Sequence, residues 1–350
     1  MNFEITEMWM SGFVEAAGSF VIDFVEIDKK VIPRFSFYIS HKDKEPLIEC
    51  QKLLQSRLNK CDDLKQTLIP KLEYYSYNVY NIQITQFDLL TKVVEPLFKD
   101  FPLLGSKQKS YALFFKALEV YNYKPFFLGL KLLLIANIMY AMNTKDKQRQ
   151  ETLVDIKKKI KPMFTSSFQW EISCEQEDYL VQTIINQNPV SLSKIPIDWF
   201  LGLIVGDGCL HSDFDCRKNR KITVRKALSV NLLKTQLNEL LLNRIAEIYN
   251  FKWSVKRRHQ VQVNKKKTID TVFQPLFLEN IKRFPFLTKK ALTAWLNIDK
   301  LNILLKQPKS KKRAKEVKKL IIQIYEVHNR VYRDYSLKDI LFRYKQDWNL

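Results

Sequence analysis

The stretch Trp199–Leu210, WFLGLIVGDGCL, has a counterpart near the N-terminus at Trp9–Phe20, WMSGFVEAAGSF. Both are apolar runs that carry small residues four positions apart, namely Gly202 and Gly206 in the later run and Gly12 and Ala16 in the earlier one. Residues four apart share one face of a helix, and small side chains on that face allow two backbones to approach closely. The two stretches therefore predict a pair of helices packed face to face.

Each apolar run ends at a glycine, Gly18 or Gly208, a residue type that commonly ends helices in left-handed geometry. Residues 19–27 then alternate in the manner of a strand. Each helix is therefore predicted to lead directly into a sheet. At the start of the later helix, Asp198 follows Pro196 after one residue and is predicted to be the N-cap.

The same order of elements is predicted after both stretches. Two strands, a helix, a second pair of strands and further helices follow, so each half is predicted to have the order α-β-β-α-β-β-α. Short motifs recur as well. Pro96-Leu97-Phe98 returns as Pro275-Leu276-Phe277, and FPLL at 101–104 returns as FPFL at 284–287. The chain is therefore interpreted as an internal repeat.

The paired stretches, with Asp207 directly before Gly208, resemble the motif of the LAGLIDADG homing endonucleases and intron maturases. The resemblance implies an α+β fold of two pseudo-symmetric αββαββα halves, with a central helix pair and saddle-shaped antiparallel sheets. It implies a first repeat over residues 1–122 and a second repeat over 191–305. The stretch between them, which the resemblance does not cover, is predicted to be a helical connector over 123–190 because part of it is highly charged and helix-prone. Residues 306–350 are predicted to be a basic, aromatic C-terminal extension with an ordered element of its own.

The resemblance further implies an acidic residue before the final glycine of each motif, where the two acids bind a divalent metal that activates water. Asp207 occupies this position in the second motif and is the predicted catalytic residue and metal ligand. Ala17 occupies it in the first motif and has no carboxylate. Glu15 lies two residues earlier, about 200° round the helix, and should point elsewhere. We expect binding to need no cofactor and any remaining cleavage to need Mg²⁺.

Other positions also depart from the family pattern. The family commonly carries a glutamine at the end of the second strand of each half, where His41 and Asn231 stand in this sequence. The strand faces that would read bases carry Val21, Asp23, Val25 and Ile27 in the first half and His211, Asp213, Asp215 and Arg217 in the second. Apolar and acidic side chains are poorly suited to a groove lined by phosphates, so altered recognition is expected.

Basic and aromatic residues on the strands, loops and C-terminal segment are the predicted contacts to a nucleic-acid backbone. They are Arg34, Tyr38, Lys107, Arg217, Lys218, Arg220, Lys221, Arg225, Lys256, Arg257, Arg258, Lys289, Lys290, Lys311, Lys312 and Arg313.

Charge points to the same class of partner. The net charge is +21, and residues 251–350 hold 25 Lys and Arg against 8 Asp and Glu, a net +17. Such a basic region is typical of proteins that bind a polyanion. No apolar run is long enough to predict a membrane span. The five cysteines form no disulfide framework, and Cys209, His211 and Cys216 lack the spacing of a zinc site.

These features predict a cleavage-deficient protein that binds structured RNA in an organellar ribonucleoprotein, as an intron maturase or a ribosome-associated component. RNA is expected to be preferred over duplex DNA because RNA is recognised through phosphates, 2′-hydroxyls and stacked bases. The expected setting is a monomer, encoded and located in a mitochondrion or chloroplast, with ribosomal or other ribonucleoprotein proteins as further partners and no membrane association.

The main alternative is a homing endonuclease, including a nicking form, that acts on double-stranded DNA with a divalent metal. Asp207 and the intact helix pair support this alternative. A sequence-specific DNA-binding module without cleavage and a protein-interaction scaffold are further alternatives.

Overall fold

A computed structural model describes residues 3–28, 30–64, 67–76, 78–124, 128–142, 152–160, 195–215, 222–232, 235–251, 254–257, 260–263, 266–327 and 335–348. They form two compact units, Ile5–Trp199 in the first and Phe200–Leu350 together with Met1–Glu4 in the second. Each unit contains one antiparallel sheet and several helices, and the predicted α+β class is confirmed.

The first unit begins with the order predicted for one half. Its elements are α1 (Glu7–Ala17), β1 (Gly18–Ile27), β2 (Lys30–His41), α2 (Lys44–Leu58), β3 (Glu73–Ser76), β4 (Val79–Ile84), α3 (Phe87–Leu89), a π turn (Leu90–Val94), α4 (Glu95–Asp100), α5 (Lys107–Asn122), α6 (Leu128–Met142) and α7 (Leu153–Ile160).

The second unit repeats that order. Its elements are α8 (Ile197–Asp207, which begins in the first unit), β5 (Gly208–Asp215), β6 (Thr223–Asn231), α9 (Gln236–Ile248), β7 (Ser254–Arg257), β8 (Gln260–Val263), α10 (Lys266–Thr268), a π turn (Ile269–Phe273), α11 (Gln274–Glu279), α12 (Phe286–Lys306), α13 (Lys311–Val327) and α14 (Leu337–Trp348).

The two sheets have the same topology. The strand order is β1-β2-β4-β3 in the first and β5-β6-β8-β7 in the second. In both, the first strand starts at the glycine that follows the motif helix, and it pairs antiparallel with the second strand. The repeat predicted from short sequence motifs is therefore a repeat of architecture.

Alternation along the strands places an aromatic core under the first sheet. Phe20 and Ile22 are buried, and Phe35, opposite Ile22, is buried beside them. The Phe20 and Phe37 rings lie 5.0 Å apart, and Phe114 of α5 packs 5.7 Å from Phe35. Aromatic side chains bury large apolar areas, so this cluster joins α5 to the sheet.

The corresponding position under the second sheet is polar. Lys226 of β6 lies opposite Ser212 of β5, as Phe35 lies opposite Ile22 in the first unit, and both Lys226 and Ser212 are buried. The Lys226 ammonium donates to the Asp270 carboxylate at 2.9 Å and also to Asp299. Since a buried ammonium requires a counter-charge, the two aspartates hold β6 against the π turn and α12.

A proline explains the π turn in each unit. Pro96 follows the first π turn and Pro275 follows the second. Proline has no N–H and clashes with the carbonyl four residues earlier, so a helix widens there. In the first unit that carbonyl belongs to Lys92 and lies 3.8 Å from the Cys61 sulfur. The recurring Pro-Leu-Phe motif thus marks a structural repeat.

The motif glycines are required for space, and the prediction of left-handed geometry is wrong. Gly18 has φ −90° and ψ 164°, which is extended, and none of the described glycines has a positive φ. A Cβ at Gly18 would lie 2.8 Å from the Val14 carbonyl oxygen. At Gly208 it would lie 2.4 Å from the Ile204 carbonyl oxygen. In both units the chain turns from helix to strand so sharply that no side chain fits.

Helix α1 touches the start of α8 backbone to backbone, as the small-residue spacing predicts. A Cβ at Gly12 would lie 1.8 Å from the Trp199 carbonyl oxygen. Beside this contact, Thr6 caps α1 by accepting from the Trp9 N–H, and its hydroxyl donates to Asp198 at 2.7 Å. Asp198 lies within the first turn of α8, so it is not the predicted N-cap. It joins the two helices at their starts.

The C-terminal extension contains the ordered element that the aromatic residues predict. In α13, Ala314, Val317, Leu320, Ile321 and Ile324 are buried, at the spacing of one helix face. Helix α14 buries Ile340 and Tyr344, and the Tyr344 hydroxyl donates to the Ala314 carbonyl at 2.9 Å. Over the part of the chain that the structure describes, no helix is long and apolar enough to cross a bilayer.

Replacing Gly12 by alanine should destabilise the protein by more than about 3 kcal/mol. The added methyl group meets backbone, which cannot rotate away as a side chain can, so the cost lies at the upper end of overpacking effects. Urea unfolding would measure it. Ser19→Thr adds one methyl group at an exposed strand position and should change the unfolding free energy by less than about 0.5 kcal/mol. Equal effects of the two substitutions would contradict the close approach.

Candidate functional site

The end of α1 carries no acidic side chain for a metal. Ala17 is the last residue of the helix, and its methyl group provides no donor. The nearby acid Glu15 is buried and faces the turn before α5. Its carboxylate accepts from the Gly105 N–H at 3.0 Å and from the Lys107 N–H at 3.1 Å. Glu15 is therefore a helix-capping acid, placed where the positive end of α5 favours a negative charge.

Lys107 completes a reciprocal arrangement. Its ammonium donates to the Ala16 carbonyl at 2.6 Å and to the Val14 carbonyl at 3.2 Å, at the negative end of α1. Each helix thus stabilises the terminus of the other through a charged side chain. The sequence predicted Lys107 as a nucleic-acid contact. The structure gives its ammonium an intramolecular role, and a contact to nucleic acid stays a prediction.

Burial dominates the electrostatics of Glu15. Desolvation raises the pKa of the Glu15 carboxyl above its ordinary value, and the Lys107 ammonium and the backbone N–H donors offset part of that rise. A buried carboxylate with this many donors serves to fix structure. It is not placed to bind a metal, because both of its oxygens already accept hydrogen bonds.

The end of α8 retains its acid. Asp207 is the last residue of α8 and is half-buried. Just beyond it, the Cys209 sulfur lies 3.8 Å from the His211 Nδ1, and the His211 Nε2 lies 2.6 Å from the Ser229 hydroxyl oxygen. The Trp295 indole N–H donates to the His211 carbonyl at 2.9 Å and holds this part of β5. The second unit therefore keeps a carboxylate beside a fixed row of polar side chains.

The ends of the second strands lie where the sequence predicts. β2 ends at His41 and β6 ends at Asn231. The His41 Nδ1 accepts from the Asp43 N–H at 3.1 Å, and its ring packs edge-on against Phe13. Asn231 is exposed. His41 is thus tied to the loop before α2, whereas Asn231 is open to solvent.

The outer face of the first sheet, opposite the aromatic core, carries the residues expected from the register. Asp23 lies directly opposite Arg34, and the Arg34 guanidinium contacts the Asp23 carboxylate at 3.1 Å. Next along β2, the Tyr38 hydroxyl accepts from the Gln83 amide at 2.9 Å. The predicted contact residues Arg34 and Tyr38 are therefore on this face, and each already has a protein partner.

The outer face of the second sheet repeats the Asp–Arg pair. Asp213 lies directly opposite Arg225, and both are exposed. Asp213 is five residues after Gly208, as Asp23 is five residues after Gly18. The pair thus occupies the same register position in both sheets, a correspondence that residue types alone did not reveal because the partner strands differ in length.

The remaining predicted contacts are spread over the second unit. The Lys289 ammonium lies 5.9 Å from the centre of the Phe3 ring, and Lys290 is exposed on the same helix. Lys311, Lys312 and Arg313 form the first turn of α13. Lys256 and Arg257 belong to β7, and their side chains are not described. Predicted contacts that lie outside the described residues are Arg217, Lys218, Arg220, Lys221 and Arg258.

The side-chain oxygens at the ends of α1 and α8 differ in how well they could act as ligands of a metal ion. Asp207 offers a hard carboxylate oxygen of the kind that Mg²⁺ binds. At the end of α1 the side-chain oxygens belong to Glu15 and are engaged, and the Ala16 carbonyl accepts from Lys107. Within the described ranges, no group of three or more His, Cys, Asp or Glu could hold a metal. The chain thus has a carboxylate at the end of α8 and none at the end of α1, where the motif pattern implies one at each.

Sequence reasoning missed the structural role of Glu15 and the pairing of aspartate with arginine across neighbouring strands. An acid inside an apolar helix, such as Glu15, signals a buried partner, but the partner at residues 105–107 is about 90 positions away. The Asp–Arg pairs could be recognised only once the strand register was known, because the register places Asp23 directly opposite Arg34.

Comparisons with known proteins agree with this geometry. Residues 10–118 match the LAGLIDADG endonuclease family. A relative from Mycosarcoma maydis, described as a probable intron-encoded DNA endonuclease 1, is 27% identical over 227 residues, which are 62% of this chain and 72% of the relative.

Solved structures of this family share the fold. The meganuclease I-SmaMI bound to uncleavable DNA has a TM-score of 0.64 at 14% identity, over 96% of this chain and 99% of that one. The LAGLIDADG homing endonuclease I-LtrWI bound to its target DNA has a TM-score of 0.64 at 17% identity, over 93% of this chain and 97% of that one.

Replacing Glu15 by alanine should cost about 3–5 kcal/mol of unfolding free energy, because the Gly105 and Lys107 N–H groups lose their acceptor and the Lys107 ammonium loses a nearby negative charge. Chemical denaturation would measure the loss. Glu119→Ala on α5 removes an exposed ion pair with Lys116 and should cost less than about 1 kcal/mol. A loss of similar size in the two variants would contradict the capping role.

The raised pKa of Glu15 predicts a pH dependence. An acid with a raised pKa in the folded state binds its proton more tightly when folded, so stability is lost as the pH rises. The unfolding free energy should therefore fall above the ordinary value of 4.5 until Glu15 is ionised. Glu15→Gln should lack that decrease. Denaturation of both proteins across this pH range tests the prediction, and parallel curves would contradict it.

Proposed function

The chain belongs to the LAGLIDADG family, and on that premise we propose that it binds duplex DNA and does not make double-strand breaks. Relatives are described as a DNA endonuclease and as homing endonucleases bound to DNA, which supports duplex DNA as the ligand. No comparison supports the RNA preference expected from the sequence, so structured RNA is treated as the alternative ligand.

The observation that carries the proposal is the difference between the two motif-helix ends. α8 ends at Asp207, whereas α1 ends at Ala17. The acid two residues before the end of α1, Glu15, is buried and accepts hydrogen bonds from backbone N–H groups. A single remaining acid can support cleavage of one strand of a duplex. Asp207 therefore supports nicking at most.

A divalent metal fits this reading at Asp207 only. When bound, such an ion supplies activated water and stabilises the leaving oxygen. The protein's own contribution is the Asp207 carboxylate at the negative end of α8, where a helix dipole favours a nearby cation. On the other side, the Lys107 ammonium already provides the positive charge at the end of α1.

The outer sheet faces support binding to duplex DNA with a defined base preference. In the major groove, an arginine recognises guanine and an aspartate accepts from the cytosine amino group. Asp23 and Arg34 stand side by side, and Asp213 and Arg225 hold the same register position in the second sheet. We therefore assign a G·C pair to corresponding positions of the two half-sites.

Selection of bound duplexes from a random library tests this preference. The wild type should select a G·C pair at one position in each half-site. Arg34→Ala should abolish the preference in one half-site only and weaken binding by about 1–3 kcal/mol. Ser19→Ala, on the same face but outside the pair, is the control. Selection of sites without a paired G·C would contradict the assignment.

Cleavage is tested on a supercoiled plasmid that contains the selected site. With Mg²⁺ the wild type should give nicked circles or no product, and no linear DNA. Any nicking should disappear in Asp207→Asn. Ala17→Asp should produce linear DNA, since it restores an acid at the first motif position. Linear product from the wild type would show that the missing carboxylate does not limit the reaction.

A competition experiment addresses the ligand. Binding of the selected duplex should resist excess structured RNA at physiological salt, whereas a steep salt dependence is expected for any polyanion. Displacement of the duplex by RNA at equal concentration would restore the RNA-binding reading in place of the one proposed here.

A further inference from the structure

A groove between the two C-terminal helices lies outside the motif helices and both sheets. Helices α13 and α14 border a groove of about 960 Å³. The apolar residues that line it, here called the floor, are Ala314, Leu337, Leu341, Phe342 and Tyr344. The Tyr344 hydroxyl is already used, because it donates to the Ala314 carbonyl. The floor therefore presents apolar surface without free polar groups among these side chains.

Five lysines form the rim. Lys311, Lys315 and Lys318 are contributed by α13, and Lys338 and Lys345 by α14. In each helix the outer members are seven residues apart, which is two turns on one face and about 10 Å along the axis. The rim thus has one line of positive charge on each side of the floor.

Among the described residues that line the groove, Asp339 is the one acid, and its hydrogen bonds lie within its own helix turn. Asp339 accepts from the Ser336 N–H at 3.0 Å and from the Ser336 hydroxyl, as the first-turn acid of α14. These hydrogen bonds lower the pKa of Asp339, so the carboxylate stays ionised in its capping role. The groove carries five positive charges against this single one.

One apolar residue of the floor is exposed to solvent. Phe342 is 63% exposed, although it is a large apolar side chain on an ordered helix. Exposed apolar surface rimmed by charge is typical of an interaction site. A ligand for this groove needs one apolar side and a negative charge on both flanks of that side.

We propose that this groove binds an acidic amphipathic helix of a partner protein. Such a helix places apolar side chains at i, i+3, i+4 and i+7 in the floor and carboxylates on both flanks against the two lines of lysine. A single nucleic-acid strand carries its phosphates along one edge and matches one line only. A second copy of this chain docked through the same groove would place lysine against lysine.

The probe is a synthetic helical peptide with leucines at i, i+3, i+4 and i+7 and glutamates at the other exposed positions. Labelled peptide is titrated with the full chain, and fluorescence anisotropy gives Kd. We expect saturable binding that weakens as salt rises, since the flanking ion pairs are exposed to screening. A scrambled peptide of the same composition should bind at least tenfold more weakly.

Variants locate the site. Phe342→Ser and the double variant Lys315→Glu with Lys318→Glu should each weaken peptide binding tenfold or more. Lys319→Glu is the matched control, because Lys319 is exposed on the same helix and does not line the groove. It should leave Kd within twofold of the wild type. Circular dichroism and thermal unfolding are measured for every variant to confirm that each is folded.

Three results would overturn the proposal. The first is equal binding of the designed and scrambled peptides. The second is a loss of binding in Lys319→Glu as large as in the double variant. The third is binding of oligothymidylate or of anionic phosphatidylserine vesicles that depends on Phe342 and the rim lysines, without binding of the peptide. Because the assay contains no duplex DNA, its outcome is independent of the proposed DNA-binding function.

Discussion

The backbone contact at Gly12 is the constraint on which the first unit depends. A helix whose surface carried a Cβ at this position could not approach the Trp199 carbonyl, and α1 would be displaced from the start of α8. Close packing propagates such a displacement because interiors do not compress. Helix α1 leads without a loop into β1, so its position also sets the starting point of the sheet.

The first motif helix has its structural contacts and no carboxylate at its end. The Glu15 carboxylate accepts hydrogen bonds at the start of α5, and the Lys107 ammonium donates to a carbonyl at the end of α1. Together these contacts fix the turn between α4 and α5. The side chain of residue 17 takes no part in these hydrogen bonds. An alanine there is compatible with the same fold and provides no carboxylate, so the chain shares the architecture of its relatives and lacks one acid of the motif pattern. The second motif helix, in contrast, ends at an acidic residue, Asp207.

Local patterns predicted the architecture, and long-range contacts decided the site. The small-residue spacing and strand alternation gave the helix pair and the order αββαββα, because both depend on residues within one element. The role of Glu15 depended on residues near position 105, and the polar core around Lys226 depended on Asp270 and Asp299. The left-handed glycine prediction failed since steric room, and not dihedral freedom, selects Gly18.

On the proposed DNA-binding function, the paired Asp23 and Arg34 have a consequence for how a target site is found on genomic DNA. An arginine already neutralised by its neighbour adds little to attraction by random phosphates, so it does not slow sliding on unrelated sequence. A matching base pair gives both side chains better partners at once. The same two residues would then favour dissociation from unrelated sequence and a longer lifetime of the complex at the target site. Discrimination in this form is a matter of dwell time.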